Sequence, residues 1–72
     1  MSVGDEIVKR ILLQAGAFVS GAKMPQVIND VAKFESQGLI TEEERTLAVD
    51  ALRTKMLTGN WPWEIRRGRG QP

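Results

Sequence analysis

Hydrophobic positions recur with a helical period near the start of the chain. The side chains that share one broad arc at about 100° per residue are Ile7, Val8, Ile11, Leu12, Ala15, Phe18 and Val19. Because Lys9, Arg10 and Gln14 lie on the opposite side, the pattern predicts an amphipathic helix over residues 4–19. Leu13 is the exception, since it is an apolar residue on the polar face. An isolated exposed leucine is ordinary in proteins; the alternative is that Leu13 contacts another chain.

Two further helices are predicted, over residues 25–37 and 42–58. Pro25 suits the first turn of a helix, where a missing amide hydrogen costs nothing, and Gly38 is well placed just after the end of the same helix. The apolar residues expected on the two buried faces are Val27, Ile28, Val31, Ala32 and Phe34, and then Leu47, Ala48, Ala51, Leu52 and Met56.

The motif "TEEER" gives the clearest helix start in the chain. Thr41 is placed to cap the amide of Glu44, while the Glu44 side chain reaches back to the amide of Thr41. Three acids in the first turn also complement the helix dipole. Gly59 is expected to end this helix, and Pro62 prevents its continuation soon after.

The predicted elements make an all-α fold, since the connections are short and no strand alternation or internal repeat is present. We expect a small three-helix domain over residues 1–60, followed by an extended C-terminal Trp/Arg tail over residues 61–72. Leu13, Val49 and Leu57 lie at the edges of the apolar stripes or outside them. These spare apolar positions favour dimerisation or docking of a partner; the alternative is that they cover one another or the tail.

Composition limits the chemistry that this chain can perform. The 72 residues include no cysteine, so disulfides and thiolate metal sites are excluded. They also include no histidine, which is the commonest metal ligand and the commonest general base at neutral pH. No apolar run is long enough to span a membrane, and the first residues lack the pattern of a signal peptide. We therefore expect a cytoplasmic protein that is stabilised by helix packing, self-association or a partner.

The remaining polar residues do not form a catalytic or metal-binding pattern. No histidine is present to activate a serine, and the consecutive acids Glu42, Glu43 and Glu44 point to different sides of a helix, which prevents them from holding one metal ion together. The sequence has no EF-hand spacing, no P-loop and no dinucleotide-binding fingerprint. We expect no enzyme activity, no cofactor and no metal.

Both tryptophans, Trp61 and Trp63, lie in the C-terminal stretch "WPWEIRRGRG" beside Arg66, Arg67 and Arg69. Residues 1–60 carry a net charge of −1, and the last twelve residues carry +2. One interpretation is structural: the indoles pack over helices that otherwise contain few aromatic side chains.

A second interpretation is a docking surface for another protein, because tryptophan and arginine are the residues most enriched at interface hot spots. A third is contact with nucleic acid, in which indoles stack on bases and arginines meet phosphates. Three arginines neutralise about three phosphates, which gives weak binding at physiological salt. The same cluster could also anchor the chain at a membrane surface, but its small positive charge gives only weak attraction to anionic lipids.

The segment "VINDVAKFESQGLITEEERTLAVDAL", residues 27–52, resembles the SHOCT domain, a short helical hairpin. The matching features are the apolar positions Val27, Val31 and Phe34, then Gly38, Ile40, Thr41 and the acids Glu42 to Glu44, with Leu52 where the family ends in leucines. The chain departs from the family at Arg45, where phenylalanine is usual, and at "TLAVDAL", which replaces lysines. The resemblance implies an element for oligomerisation or interaction, without functional residues beyond the hairpin itself.

These observations together predict a small non-enzymatic accessory or regulatory protein that binds and modulates a larger protein or complex. The first and third helices would present a face to the partner, and the tail would anchor it. The residues expected to bind the partner are Trp61, Trp63, Arg66, Arg67, Arg69 and Leu13. The alternatives are a nucleic-acid-binding protein that uses the basic tail, and a structural subunit that assembles as a homodimer or larger oligomer.

Overall fold

Four helices make up the fold of residues 3–70, the part of the chain that the computed structural model describes; side chains are described over residues 4–66. The helices are α1 (Val3–Gln14), α2 (Met24–Ser36), α3 (Glu42–Thr58) and α4 (Pro62–Gly70). The central helix is α3, which packs against the other three. The prediction of an all-α fold with three main helices is confirmed, and a short fourth helix is added to it.

The first helix ends at Gln14, five residues earlier than predicted. Gly16 adopts a left-handed conformation with φ of 77°, which residues with a side chain rarely occupy. The Ala17 amide donates to the Leu12 carbonyl at 2.9 Å, and the Gly16 amide donates to the Leu13 carbonyl at 3.1 Å. This pair of hydrogen bonds is the Schellman arrangement, which satisfies the last carbonyls of a helix and turns the chain away.

The turn after α1 changes which of the following residues are buried. Ala17 enters the core, whereas Phe18 is 44% exposed and Val19 is largely exposed. The prediction that Phe18 and Val19 continue the buried arc of the first helix is therefore wrong. The apolar residues keep a helical period beyond Gly16, but the backbone leaves the helix at that residue.

The boundaries of α2 and α3 agree with their capping signals. Pro25 lies in the first turn of α2, and Gly38 follows its end with φ of 76°. At the start of α3, Thr41 Oγ1 accepts from the Glu44 amide at 3.1 Å, and Glu44 Oε1 accepts from the Thr41 amide at 2.8 Å. The predicted capping box is confirmed, as is Gly59 as the end of α3.

The core lies where α3 meets α1 and α2. The buried apolar residues are Val8, Ile11, Leu12, Ala17, Val27, Val31, Ala48, Val49, Ala51, Leu52 and Trp61. Val49 is buried, although the sequence placed it at the edge, because α3 contacts a helix on each side and needs a broad apolar face. Leu47, Met56 and Ala32 are exposed, so their predicted places on the buried faces are wrong. Within the described residues, no helix is both long and apolar enough to cross a membrane.

The prediction of an extended C-terminal tail is wrong, because residues 62–70 form α4. Pro62 is the first residue of this helix, a position where its fixed φ is favourable and its missing amide hydrogen costs nothing. The Trp61 amide donates to Glu64 Oε1 at 2.7 Å, and the Trp61 carbonyl accepts from the Glu64 and Ile65 amides at 3.0 and 3.1 Å. Gly59 therefore ends α3, and Pro62 begins α4 three residues later.

We expect Trp61→Ala to destabilise the fold strongly. The Trp61 side chain is only 8% exposed, and truncating a buried tryptophan typically costs about 3–5 kcal/mol. Urea unfolding followed by far-UV circular dichroism measures this loss. Trp63→Ala is the matched control, and its loss should be less than half as large because Trp63 is only partly buried. Equal losses would show that the two indoles contribute equally to stability.

We expect Thr41→Ala to lower the free energy of unfolding by about 1 kcal/mol, because it removes the side-chain acceptor at the start of α3. Thr46→Ala is the control, since Thr46 is an exposed residue of the same helix and no side-chain hydrogen bond of the described residues involves it. The midpoint of thermal unfolding should fall only for the Thr41 variant. A similar fall for both variants would mean that the cap contributes nothing.

Candidate functional site

Three separate parts of the chain contribute apolar side chains to one shallow groove. It lies between α1 and α4, has a volume of about 390 Å³, and is called here the α1–α4 groove. Its lining residues are Glu6, Lys9, Arg10, Leu13, Phe18 and Trp63. Leu13 is 65% exposed on α1, and Phe18 reaches the groove from the turn that follows α1. Two of the residues predicted to bind a partner, Leu13 and Trp63, therefore meet at one surface.

The two tryptophans, predicted to act together, have different places in the structure. Trp61 belongs to the core, whereas Trp63 lies partly exposed at the groove. Their rings are stacked, with centroids 5.3 Å apart and an interplanar angle of 7°. Phe18 meets Trp61 edge-on, at 5.3 Å and 70°. Both arrangements are favourable for aromatic rings, so the buried indole holds the two aromatic walls of the groove in place.

Two lysines complete the aromatic cluster. Lys9 Nζ lies 5.0 Å from the centroid of the Trp63 ring, and Lys55 Nζ lies 5.6 Å from that of Trp61. Such cation–π contacts contribute about 0.5–1 kcal/mol at exposed sites. Lys55 also donates to the Gly59 carbonyl at 2.8 Å. Lys9 thus brings a positive charge to the edge of the α1–α4 groove and helps to orient the Trp63 ring.

Arg66, the arginine of the predicted set whose side chain is described, does not line this groove. Arg66 Nη2 donates to Asp5 Oδ2, which ties α4 to the first turn of α1. The side chains of Arg67 and Arg69 lie outside the described residues. Of the predicted set, Leu13 and Trp63 form the groove, Trp61 supports it from the core, and Arg66 fixes the helix that carries Trp63.

Phe18, Lys9 and Arg10 are groove residues that the sequence prediction assigned elsewhere. The sequence pattern puts Phe18 on the apolar arc of the first helix and the two cations on the opposite side. The signal that identifies Phe18 is Gly16, because a helix that ends there sends the next residues in a new direction. The place of Lys9 and Arg10 at a groove depends on α4 lying beside α1, which the sequence pattern does not show.

The three consecutive acids at the start of α3 have a structural role in the fold. Glu44 closes the capping box with Thr41, and all three acids lie in the first turn, where they complement the helix dipole. Within the described residues, no group of three or more His, Cys, Asp or Glu side chains is placed to hold a metal ion.

Comparison of the chain with protein-family models, with curated proteins and with solved structures gave no match. The resemblance of residues 27–52 to the SHOCT domain therefore stays a prediction.

Proposed function

We propose that this chain is a small cytosolic accessory protein that binds and modulates a larger protein, and that the partner docks in the α1–α4 groove. The observation that carries the proposal is the convergence of Leu13, Phe18 and Trp63 at one exposed surface. Single exposed apolar residues are normal on a protein surface. A cluster of them in a concave surface, rimmed by polar residues, is typical of an interaction site.

The way in which the groove is built also favours protein binding. Trp63 is stacked on a core indole, and Phe18 contacts the same indole edge-on. Side chains that are already held in place lose little conformational entropy on binding, which improves affinity without further contacts. Tryptophan in such a place is a frequent hot spot of protein interfaces.

Nucleic-acid binding through the tail has less support from the described residues. Arg66 is already paired with Asp5, so binding a phosphate would require it to give up that contact. The exposed cluster also includes Leu13, an aliphatic side chain that neither pairs with a phosphate nor stacks on a base.

We expect Leu13→Glu to reduce capture of the partner from a cell extract by at least about tenfold, since loss of a hot-spot contact costs about 2 kcal/mol or more. Leu57→Glu is the matched control, because Leu57 is 86% exposed on α3 and does not line the groove. Captured proteins should be quantified by mass spectrometry from nuclease-treated extract. Circular dichroism should show that both variants remain folded.

Other outcomes would contradict the proposal and point to its alternatives. Equal capture by both variants would remove the α1–α4 groove from any docking role. Capture that disappears after nuclease treatment would favour nucleic-acid binding. If wild-type protein sediments as a dimer that Leu13→Glu converts to a monomer, with no other protein captured, the chain is a self-assembling subunit.

A further inference from the structure

A second groove lies on the other side of α1. It is formed with the end of α2 and the turn that follows, has a volume of about 380 Å³, and is called here the α1–α2 groove. Its lining residues are Ile7, Arg10, Ile11, Gln14, Phe34, Leu39, Ile40 and Glu44. Five of these eight side chains are apolar, and Leu39 is 67% exposed at the edge. This volume is in the range of sites that accept a large apolar group.

Arg10 lines both grooves. On the surface of a helix, a residue neighbours those three and four positions away. Arg10 is therefore flanked by Leu13, which belongs to the α1–α4 groove, and by Ile7 and Gln14, which belong to the α1–α2 groove. Arg10 thus lies between two largely apolar depressions.

The Arg10 side chain is exposed and makes no hydrogen bond or ion pair among the side chains of residues 4–66. Arg45 and Arg66, by contrast, have partners: Arg45 Nε donates to Glu35 Oε1 at 2.8 Å, and Arg66 pairs with Asp5. An arginine that has no partner among the described residues and lies between two apolar grooves is placed to receive a carboxylate, which guanidinium groups bind in a bidentate manner.

Neither of the two acids that line the grooves forms an ion pair with Arg10 within the described residues. Glu44 is held in the capping box, where its Oε1 accepts the Thr41 amide. Glu6 lies one turn before Arg10, but no ion pair within the described residues joins the two. Lys9, which lines the α1–α4 groove with Glu6, adds a second positive charge there.

We infer that the two grooves and Arg10 form one continuous track for a peptide segment of the partner that combines apolar and acidic residues. The segment places one apolar side chain in each groove and an Asp or Glu between them, at Arg10. An amphipathic helix of the partner meets this requirement, because its anchors recur at i, i+3, i+4 and i+7 on one face. This inference rests on the proposed function and adds to it the chemistry of the partner.

The test is selection of peptides from a random display library against the full chain, with affinities of the selected peptides measured by fluorescence polarisation. Wild-type protein should enrich peptides with two apolar residues that flank an acid. Arg10→Glu should weaken those peptides by at least about tenfold, the typical effect of removing a charged partner from a hydrogen-bonded pair, and should enrich peptides with Lys or Arg at the central position. Arg53→Glu, a charge reversal at an exposed site of α3, should change neither result.

Two further variants separate this inference from the proposed function. Leu39→Asp should weaken the selected peptides and remove the preference for the apolar residue on its side; unchanged binding would exclude the α1–α2 groove. Peptides that lose affinity with Leu13→Glu but show no acidic preference would overturn the inference and leave the proposed function standing. Peptides that bind the Leu13→Glu variant as well as wild type would overturn both. Absence of any enrichment, or enrichment of basic peptides by wild-type protein, would also overturn the inference.

Discussion

The burial of a single indole organises the C-terminal part of this fold. Trp61 fills the end of the core, accepts the first backbone hydrogen bonds of α4, stacks on Trp63 and meets Phe18 edge-on. A chain of 72 residues buries a modest fraction of its surface, so one large side chain makes up an unusual share of its core. The groove that we assign to a partner is built directly on this contact. The stability of this end of the molecule and the shape of the α1–α4 groove therefore depend on the same side chain.

Local signals in the sequence predicted much of the fold. The starts and ends of α2 and α3 follow from Pro25, Gly38, Gly59 and the Thr41 capping box, because each of these acts on its own neighbours in the chain. The early end of α1 is not visible in the apolar pattern, because the helical spacing of apolar residues continues past Gly16 although the backbone turns away there. The fourth helix does not follow from Pro62 alone, because proline is compatible both with the end of one helix and with the start of the next; Glu64 completes the helix start by accepting the Trp61 amide.

The candidate site was less predictable, since it depends on contacts between distant parts of the chain. Leu13 stood out as an apolar residue on a polar face, and Trp63 stood out by composition. Their meeting depends on α4 folding back beside α1, a contact that no local pattern contains. The role that we propose for Arg10 was harder still to predict from the sequence, because it depends on the two grooves that Arg10 lines.

The ion pair between Arg66 and Asp5 joins residues that are 61 positions apart. Nearly the whole chain is thereby closed into a loop, and closing a loop of this length has a substantial entropic cost that must be met before the contact forms. The α1–α4 groove consequently exists only in molecules whose two ends have come together. A partner seated there would select such molecules and, by mass action, hold them closed. The fraction of molecules with an occupied α1–α4 groove and the fraction that is completely folded would then increase or decrease together.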